Sequence, residues 1–227
     1  MPRKTKEDAL KTRERILASA LYLFSEKGYE RTTFTDIASR LKLTKGAVYW
    51  HFDSKEGLLV ELVNSALEHF RRDIDRRMPD GELTYPAVAA MMVDDAIGLV
   101  SSHRGVQFFR LMHSGVTWSG RSMSKVREEF LTNGRFGPKQ AFERALENDR
   151  RAGRVNSDVR PDEAASVSMA VWDGLVLAKL DGFLTCDLAS VLHHAFSAVW
   201  DSVRLPAAAP MPPLGQASPA EANLKDN

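Results

Sequence analysis

The residues of this sequence whose types and spacing suit chemistry lie within residues 33–55, where small, basic and aromatic side chains follow one another closely. Lys45, Gly46 and Ala47 open a short helical pattern that ends in the aromatic run Tyr49–Phe52. Gly46 and Ala47 allow a backbone to approach base edges, and Ala47 can touch a thymine methyl group. Lys45 can reach guanine acceptors or a phosphate oxygen. The pattern predicts a helix that enters the major groove of DNA.

Polar side chains that can bind phosphate follow in the same segment. Tyr49 and His51 lie near the end of this helix and can donate hydrogen bonds to phosphate oxygens. Lys55 begins the next helical pattern, and a helix N-terminus is a favourable position for a backbone phosphate. We therefore expect all three side chains to contact the DNA backbone.

Apolar residues four apart must anchor the same helix from its other side. Val48 and Phe52 share a face and can pack on Ile37, Leu41 and the first helix of the chain. The spacing of Trp50 from these two residues leaves its direction open, either into the core, which we favour, or outward. A second helix that is anchored on one face and exposed on the other is what a helix-turn-helix DNA reader requires.

Helical periodicity continues through the rest of the chain. Gly28 stops the first helix, and Thr33 with Asp36 forms a capping box at the start of the second. The segment from Met78 to Gly81 is a strong helix breaker, and Gly134–Pro138 can interrupt a later helix. The predicted helices span residues 5–27, 33–41, 84–103, 105–116, 123–151, 161–182 and 187–204, and two more begin at Thr44 and Asp53.

These elements predict an all-α fold of about nine helices, because no run of alternating β-branched residues is bounded by turns. Residues 1–52 are predicted to form a three-helix helix-turn-helix DNA-binding domain, and residues 53–205 a helical ligand-binding and dimerisation bundle. Residues 206–227 are rich in proline and alanine and lack periodicity, so we expect them to be disordered.

The charge distribution places the basic part of the chain where the helix pair lies. Residues 1–60 carry 12 Lys and Arg against 8 Asp and Glu, about +4, while residues 61–227 carry 19 against 22, about −3. Arg3 and Lys4 can serve as an N-terminal arm on DNA. The single cysteine, the absence of a signal peptide and the lack of an apolar run near the roughly 18 residues of a membrane span favour a cytoplasmic protein without a membrane partner.

Large, adaptable apolar side chains concentrate in residues 84–180. In a helical bundle most of them form the core, but methionine and aromatic residues together also suit an adaptable apolar cavity. Asp95, Gln107 and His113 can supply its few polar anchors, although a lone histidine is more often structural. The predicted apolar lining consists of Met91, Phe108, Met112, Trp118, Phe136, Met169 and Trp172.

The last two helices are the predicted homodimer surface. Small residues such as Gly174 and Ala178 allow helices to approach closely, and two helices from each subunit can form a four-helix packing. The alternative is an ordinary core within one chain. The apolar positions at helical spacing are Val167, Ala170, Val171, Leu175, Leu188, Val191, Leu192, Ala195, Phe196, Val199 and Trp200.

The order and spacing of several short motifs resemble the N-terminal domain of TetR-type transcriptional repressors over residues 10–62. Trp50-His51-Phe52, together with the basic start at residues 3–6, is similar to the AcrR-type subgroup, which represses multidrug efflux operons. The segment from Arg104 to His113 resembles a helix of that subgroup, although Ser114-Gly115-Val116 departs from its pattern. The motifs of the N-terminal match are Thr32-Thr33, Asp36-Ile37-Ala38, Lys45-Gly46, Tyr49-Trp50-His51-Phe52 and Lys55-Glu56 with Leu58.

The resemblance implies a ligand-responsive repressor that binds a palindromic operator as a homodimer and leaves it when a small apolar or amphiphilic effector binds. It implies base contacts from Lys45, Gly46 and Ala47. Phe34 stands where relatives often place a hydroxyl residue, so Thr33 and Thr35 must take over its phosphate contact. The phosphate contacts implied in total are those of Thr33, Thr35, Thr44, Tyr49, His51 and Lys55.

Other classes of function are less consistent with the residues. A TetR-like repressor or activator of metabolic genes, responding to another ligand or to none, is the main alternative. Catalysis is not expected, because no glycine-rich phosphate loop follows a strand and no signature pairs His51 with Cys186. His193 and His194 are adjacent and point to different sides of a helix, so neither a metal site nor a cofactor is expected.

Overall fold

The computed structural model describes residues 6–77, 83–118, 123–124 and 137–214. These residues form nine α-helices, which confirms the predicted all-α class, and the predicted pocket residue Phe136 and the basic arm at residues 3–4 lie outside them. None of the described helices is both long and apolar enough to cross a bilayer. The helices are α1 (Lys6–Lys27), α2 (Phe34–Leu41), α3 (Lys45–His51), α4 (Lys55–Arg77), α5 (Tyr85–Ser101), α6 (His103–Arg110), α7 (Pro138–Arg151), α8 (Pro161–Leu180) and α9 (Leu188–Val203).

A π-helical turn, Leu111–Gly115, continues α6 directly. π-Helical turns are rare and are found often at functional sites. The turn carries Met112 and His113, two of the predicted ligand residues, although no sequence pattern predicted its geometry.

The chain divides into two compact units. The first unit comprises Met1–Ala66 and Ser102–Asn133, and the second comprises Leu67–Ser101 and Gly134–Asn227. This division differs from the expected boundary between residues 52 and 53. The physical reason is burial, because Leu58 of α4 and Leu111 after α6 are fully buried in the same core as α1.

The first unit is built on short helices whose ends match local sequence signals. Gly28 adopts a φ of +84°, which a side chain would strain, and ends α1. Thr33 and Asp36 form the predicted capping box of α2, and Lys42 in the left-handed region closes that helix. The core beneath them consists mainly of Ile16, Ala20, Leu23, Phe24, Ile37, Val48, Phe52, Leu58, Leu59 and Leu62.

The second unit packs α5, α7, α8 and α9 around aromatic side chains. Tyr85 stacks on Trp200 with ring centroids 5.6 Å apart, and lies 5.1 Å from the ring of Phe142. Phe142 contacts Phe196 at 5.5 Å, so α5, α7 and α9 meet in one cluster. The hydroxyl of Tyr85 is hydrogen-bonded to Ser168 of α8 at 2.9 Å, which connects the fourth helix.

A buried carboxylate fastens the start of α5. Asp149 has no exposed surface, and its Oδ2 accepts a hydrogen bond from the backbone amide of Tyr85 at 2.7 Å. Its Oδ1 accepts from Nε of Arg154 at 2.7 Å, and the Arg154 side chain is 34% exposed. A buried charge is tolerated only when it is paired in this way.

Residues 206–214 depart from the expectation of a disordered tail. Trp200 Nε1 donates to the carbonyl of Ala209 at 2.9 Å, and a His193 ring nitrogen lies 2.8 Å from the carbonyl oxygen of Pro212. Met211 is buried. Prolines lack the amide needed for helix formation, so this segment is held by side chains that bind its carbonyl groups instead. Residues 215–227 lie outside the described part of the chain.

The last two helices contain both core and surface positions. Leu188, Leu192, Phe196 and Trp200 are buried within the chain, so these four fit the intrachain alternative. Beyond its acidic first turn, α8 exposes only small or apolar residues. They are Ser166, Val167, Ala170, Gly174 and Leu177.

Candidate functional site

An open groove of about 500 Å³ lies at the surface of the first unit, where α2, α3 and α4 begin. Its walls combine hydroxyl, basic and aromatic side chains, which is the mixture that binds a phosphate backbone. The predicted DNA contacts Thr33, Thr35, Lys45, Tyr49 and Lys55 all line it. The remaining lining residues are Thr32, Phe34, Asp53, Ser54 and Glu56.

Neutral hydroxyl groups cap the helices that begin at this groove. Thr33 accepts a hydrogen bond from the backbone amide of Asp36, and Thr44 accepts from the amide of Ala47, both at 3.2 Å. Ser54 accepts from the first turn of α4 at 3.0 Å. Helix N-termini carry partial positive charge, and a neutral cap leaves that charge uncompensated. At α3, whose first turn contains no acidic residue, this charge is uncompensated and suits an anion, whereas the carboxylates of Asp36 and Glu56 lie in the first turns of α2 and α4.

The outward face of α3 carries the residues that were predicted to contact bases. Lys45 and Gly46 are exposed and Ala47 is partly exposed, while Val48 is fully buried beneath them. No side chain blocks the approach to Gly46, since an added Cβ would meet only Thr44 Oγ1 at 4.0 Å. The geometry therefore places a small, accessible surface where the sequence predicted it.

Aromatic contacts hold the side chain of Tyr49 in a defined direction. Its ring meets the edge of Phe34 at a centroid distance of 4.9 Å, and Lys45 Nζ lies 5.6 Å from the ring centroid. Phe34 is buried and packs against Tyr49, at a position where relatives often have a hydroxyl residue. The departure of this sequence from the repressor pattern therefore fixes Tyr49 instead of adding a phosphate ligand.

Trp50 is exposed over 73% of its surface, contrary to the favoured expectation of core packing. Its ring lies 4.6 Å from that of His51 in an edge-to-face arrangement. The reason is helical geometry, because Val48 and Phe52 occupy the buried face and residue 50 lies opposite them. Trp50 thus joins the exposed surface of α3, and sequence spacing alone did not reveal it.

Lys55 makes contacts that the sequence did not predict. Its Nζ donates to the backbone carbonyl groups of Tyr29, Glu30 and Thr32 at 2.9, 3.2 and 3.2 Å. It also lies 4.3 Å from the centroid of the Tyr29 ring. An ammonium group has three N–H donors, so the expected phosphate contact competes with these three bonds. In this structure Lys55 fastens the loop between α1 and α2.

Asp36 is the acidic member of the capping box at the groove's edge. Hydrogen bonds from the Thr33 hydroxyl at 2.6 Å and the Thr33 amide at 2.8 Å stabilise its carboxylate, and Lys27 Nζ lies 3.2 Å away. These contacts lower the pKa of Asp36 from 3.8 to about 2. The capping box is therefore fully formed at neutral pH.

The predicted ligand residues of the second unit are largely enclosed. Met91 and Trp172 are buried, and Met169 and Asp95 are partly buried. Trp172 Nε1 donates to the carbonyl of Met92 at 2.8 Å, so its polar edge is satisfied within the chain. These contacts suit a core or a cavity wall equally, and the assignment to a ligand pocket stays a prediction.

The other predicted ligand residues belong to the first unit. Phe108 and Trp118 pack against its core, and Trp118 Nε1 donates to the carbonyl of Met112 at 2.8 Å. Gln107 is buried, with its Nε2 3.1 Å from a ring nitrogen of His103.

His113 completes this group on the π-helical turn. It is exposed, and its ring stacks on Phe109 at 3.9 Å. Its Nδ1 also lies 3.0 Å from the Phe109 carbonyl oxygen. The predicted anchors are thus already engaged in local contacts.

Comparison with known proteins identifies this architecture. The family model described as bacterial regulatory proteins, tetR family, matches residues 16–62, which run from the second half of α1 to the first part of α4. The match thus covers the helices that form the groove.

Two curated relatives from Pseudomonas putida extend the similarity beyond these helices. An uncharacterised helix-turn-helix regulator named TtgW is 35% identical over 137 residues, covering 58% of this chain and 97% of the relative. The transcriptional regulator TtgR of the same species is 28% identical over 179 residues, covering 78% of this chain and 83% of TtgR.

Solved structures match over nearly the whole length. SmeT, described as the repressor of the Stenotrophomonas maltophilia multidrug efflux pump SmeDEF, aligns with a TM-score of 0.69 at 25% identity, covering 91% of this chain and 97% of SmeT. A complex of SmeT with triclosan aligns with a TM-score of 0.74, also at 25% identity, covering 92% and 99%.

Proposed function

Because this chain belongs to the TetR family of bacterial regulatory proteins, we propose that it is a ligand-responsive repressor of a multidrug efflux operon. The observation that carries the DNA-binding role is the groove of the first unit, where Lys45 and Tyr49 stand beside three hydroxyl-capped helix N-termini. The efflux assignment is supported by the similarity to SmeT, which is a repressor of such a pump.

One copy of α3 offers few contacts, so the proposed DNA-binding form is a homodimer on a palindromic operator. Two symmetric reading helices reach successive major grooves when they lie about 34–36 Å apart. The outward face of α8 supports pairing through the last two helices, because Val167 is 51% and Leu177 is 41% exposed. Exposed apolar residues on one helix face are typical of an interface.

The proposed effector is a small apolar or amphiphilic molecule. SmeT is recorded in complex with triclosan, a compound of this kind. In the present chain α6 and the π-helical turn lie against α1 within the first unit, so the predicted ligand residues on that segment are mechanically connected to the DNA-binding helices. A ligand that favours one arrangement of this segment can therefore change the setting of α3.

The strength of such control follows from linkage. The effector shifts the equilibrium only by its difference in affinity for the DNA-binding and released states. A coupling free energy of about 1–3 kcal/mol lowers DNA affinity by about 5- to 150-fold. We propose that α4, which begins at the groove, pivots between the two states.

The test is DNA binding by the purified full chain to the duplex upstream of its own reading frame. If about four side chains per subunit neutralise phosphates, a dimer neutralises about eight, and log Kd changes with log salt concentration with a slope of magnitude about 7. A slope near zero on a palindromic site, or a monomer that stays monomeric on DNA, contradicts the proposal.

The effector is tested separately with triclosan as the probe. Quenching of tryptophan fluorescence, with Trp118 and Trp172 as reporters, should accompany a loss of DNA binding at the same concentration. DNA release without quenching would indicate a binding site away from these tryptophans. If triclosan and other amphiphiles cause neither quenching nor DNA release, the protein is a regulator that does not respond to such a ligand.

A further inference from the structure

One guanidinium group joins three helices of the first unit. Nε of Arg13 donates to Glu61 Oε1 at 2.9 Å, and its Nη2 donates to Oε2 of the same carboxylate. Nη1 donates to the backbone carbonyl of His51 at 2.6 Å. The guanidinium also lies 4.2 Å from the centroid of the Phe52 ring. Arg13 of α1 therefore contacts α4 and the C-terminal end of α3 at once.

The geometry uses the features that distinguish arginine from lysine. The planar group binds both oxygens of Glu61, turns a further donor to a carbonyl group and stacks on an aromatic ring. Lysine supplies a point charge and cannot make this set of contacts together. The side chains of Arg13 and Glu61 are 35% and 31% exposed, so they are partly shielded from water and salt.

The contact matters because α3 is short. It has seven residues, and a helix of this length has little stability of its own. Val48 anchors its middle, Thr44 caps its N-terminus, and the buried side chain of Phe52 anchors the residue after its C-terminal end. The last carbonyl groups of the helix still need polar partners. A cation at the last carbonyl groups is favoured by the helix dipole, and Arg13 supplies it at His51.

We propose that Arg13 is a positioning residue for DNA reading, held by Glu61, which fixes the C-terminal end of α3 and so sets the angle of its exposed face. The inference rests on the proposed function of α3 as the reading helix. Because Glu61 belongs to α4, the same pair transmits the position of α4 to α3. Neither residue needs to touch DNA for this role.

Glu61→Gln tests the proposal by the sign of its effect. If charge alone mattered, removing an anion from a DNA-binding unit would strengthen binding to every duplex. The positioning role predicts the opposite for the specific duplex, about tenfold weaker binding, the loss that accompanies one weakened charge-assisted hydrogen bond. Binding to a scrambled duplex of equal length should not weaken, so the ratio of the two Kd values falls about tenfold.

Arg13→Lys and Arg13→Met separate the guanidinium geometry from its charge. Both should reduce the same ratio, and both should leave the salt slope of the specific complex unchanged because Arg13 makes no proposed phosphate contact. A direct phosphate contact would instead lower the slope by about 0.9 per subunit. The double variant Arg13→Met with Glu61→Gln should lose little more than either single variant, since the pair acts as one unit.

Glu7→Gln is the matched control. Glu7 also pairs with a cation on α1, Lys11 at 2.7 Å, but its side chain is 74% exposed. This variant should retain the discrimination of the wild type. Thermal unfolding followed by circular dichroism shows whether each variant is folded. If Arg13→Met does not fold, the result for Glu61→Gln alone tests the proposal.

Two results would overturn the proposal. Glu61→Gln protein that binds the specific duplex as tightly as the wild type, or more tightly, removes the positioning role while leaving the repressor function intact. If the wild-type protein binds the specific and the scrambled duplex equally well, the proposed function is wrong, and the proposed role of Arg13 is wrong with it.

Discussion

Each unit contains a helix end that is held by a charged side chain, a cation at the end of α3 in the first unit and an anion at the start of α5 in the second. In the first unit, cations bind backbone carbonyl oxygens, as Arg13 does at His51 and Lys55 does in the loop after α1. In the second unit, the buried carboxylate of Asp149 binds the backbone amide of Tyr85 at the start of α5. Arg13 at the end of α3 and Asp149 at the start of α5 bind groups that a helix leaves without partners, and they act at opposite ends of the helix dipole, whereas Lys55 binds carbonyl groups of a loop.

The difference bears on the DNA-binding role that we propose for the first unit. Around the groove of the first unit, hydroxyl groups of Thr33, Thr44 and Ser54 accept from first-turn amides. At α3, which has no acidic residue in its first turn, the positive potential still faces outward. In the second unit, Asp149 neutralises that potential internally. The start of α3 thus suits the phosphate contacts that we propose, whereas the start of α5 is stabilised by a buried carboxylate.

The largest effect should come from breaking the anionic anchor. Asp149→Asn keeps the size of the side chain but leaves Arg154 without its charge partner and weakens the bond to the Tyr85 amide. Removing one partner of a buried pair costs about 3–5 kcal/mol, and the partial exposure of Arg154 places the expected loss near 3 kcal/mol. Urea unfolding followed by tryptophan fluorescence measures it.

The matched control lies on the same helix. Glu147 pairs with Arg151 at 3.4 Å, but these side chains are 45% and 72% exposed. Glu147→Gln should change the free energy of unfolding by less than about 0.5 kcal/mol. Equal losses for the two variants would mean that the buried contact to α5 has no special role.

The next effect concerns the cationic anchor. Lys55→Met should destabilise the first unit by about 2–3 kcal/mol, because carbonyl oxygens that bind a charged group lose their donor. DNA binding should weaken to specific and scrambled duplexes alike, since the loop next to the groove is released. If Lys55 acts only through the loop, the salt slope is unchanged, whereas a phosphate contact lowers it by about 0.9 per subunit.

Lys11→Met serves as the control for this variant. Lys11 lies on α1 of the same unit with a side chain that is 65% exposed, and it forms an ion pair with Glu7 one turn away on the same helix. Its removal should leave unfolding nearly unchanged. A Lys55→Met protein that unfolds like Lys11→Met would show that the three carbonyl contacts contribute little.

The local part of this comparison was predictable from the sequence. The capping hydroxyls of Thr33 and Thr44 and the buried pair Val48 and Phe52 act over three or four residues, and spacing rules cover that range. The helix stop at Gly28 follows for the same reason. The all-α fold was therefore readable in advance.

The long-range contacts left no such signal. Arg13 and Glu61 are 48 residues apart, and Asp149 and Tyr85 are 64 apart, so only the packed fold brings them together. Lys55 was expected at phosphate because it begins a helix, and its bonds to a loop at least 23 residues away could not be read from spacing. The ordered segment at residues 206–214 escaped prediction because side chains of α9, not its own periodicity, hold it.

A smaller effect, on specificity and not on stability, should follow Lys45→Ala. Lys45 is exposed on α3, and its loss should cost about 1–3 kcal/mol of discrimination between operator sequences if it contacts bases. The free energy of unfolding should stay nearly constant. Competition binding with single base-pair changes measures the effect, and unchanged discrimination assigns Lys45 to the phosphate backbone or to no contact.

The smallest effect concerns the carboxylate of Asp36, which lies at the start of α2 beside the groove. Bonds from the Thr33 hydroxyl, then the Thr33 amide and Lys27, hold the pKa of Asp36 at about 2 instead of 3.8. Because the folded pKa is lowered, the stabilisation is complete above about pH 4 and is lost as the pH falls through about 2. NMR titration of the Asp36 carboxyl carbon should give this midpoint.

Substitutions at Thr33 and Lys27 distinguish the two contributions to the lowered pKa of Asp36. Thr33→Val removes the hydroxyl, the largest contribution, and should raise the Asp36 midpoint further than Lys27→Met does. Asp36→Asn should abolish the acid-dependent loss of α2 helicity. A wild-type midpoint near 3.8 would mean that the capping box is open in solution. The Thr33 amide would then lack its carboxylate partner, and the start of α2 would resemble that of α3, whose first turn contains no acidic residue.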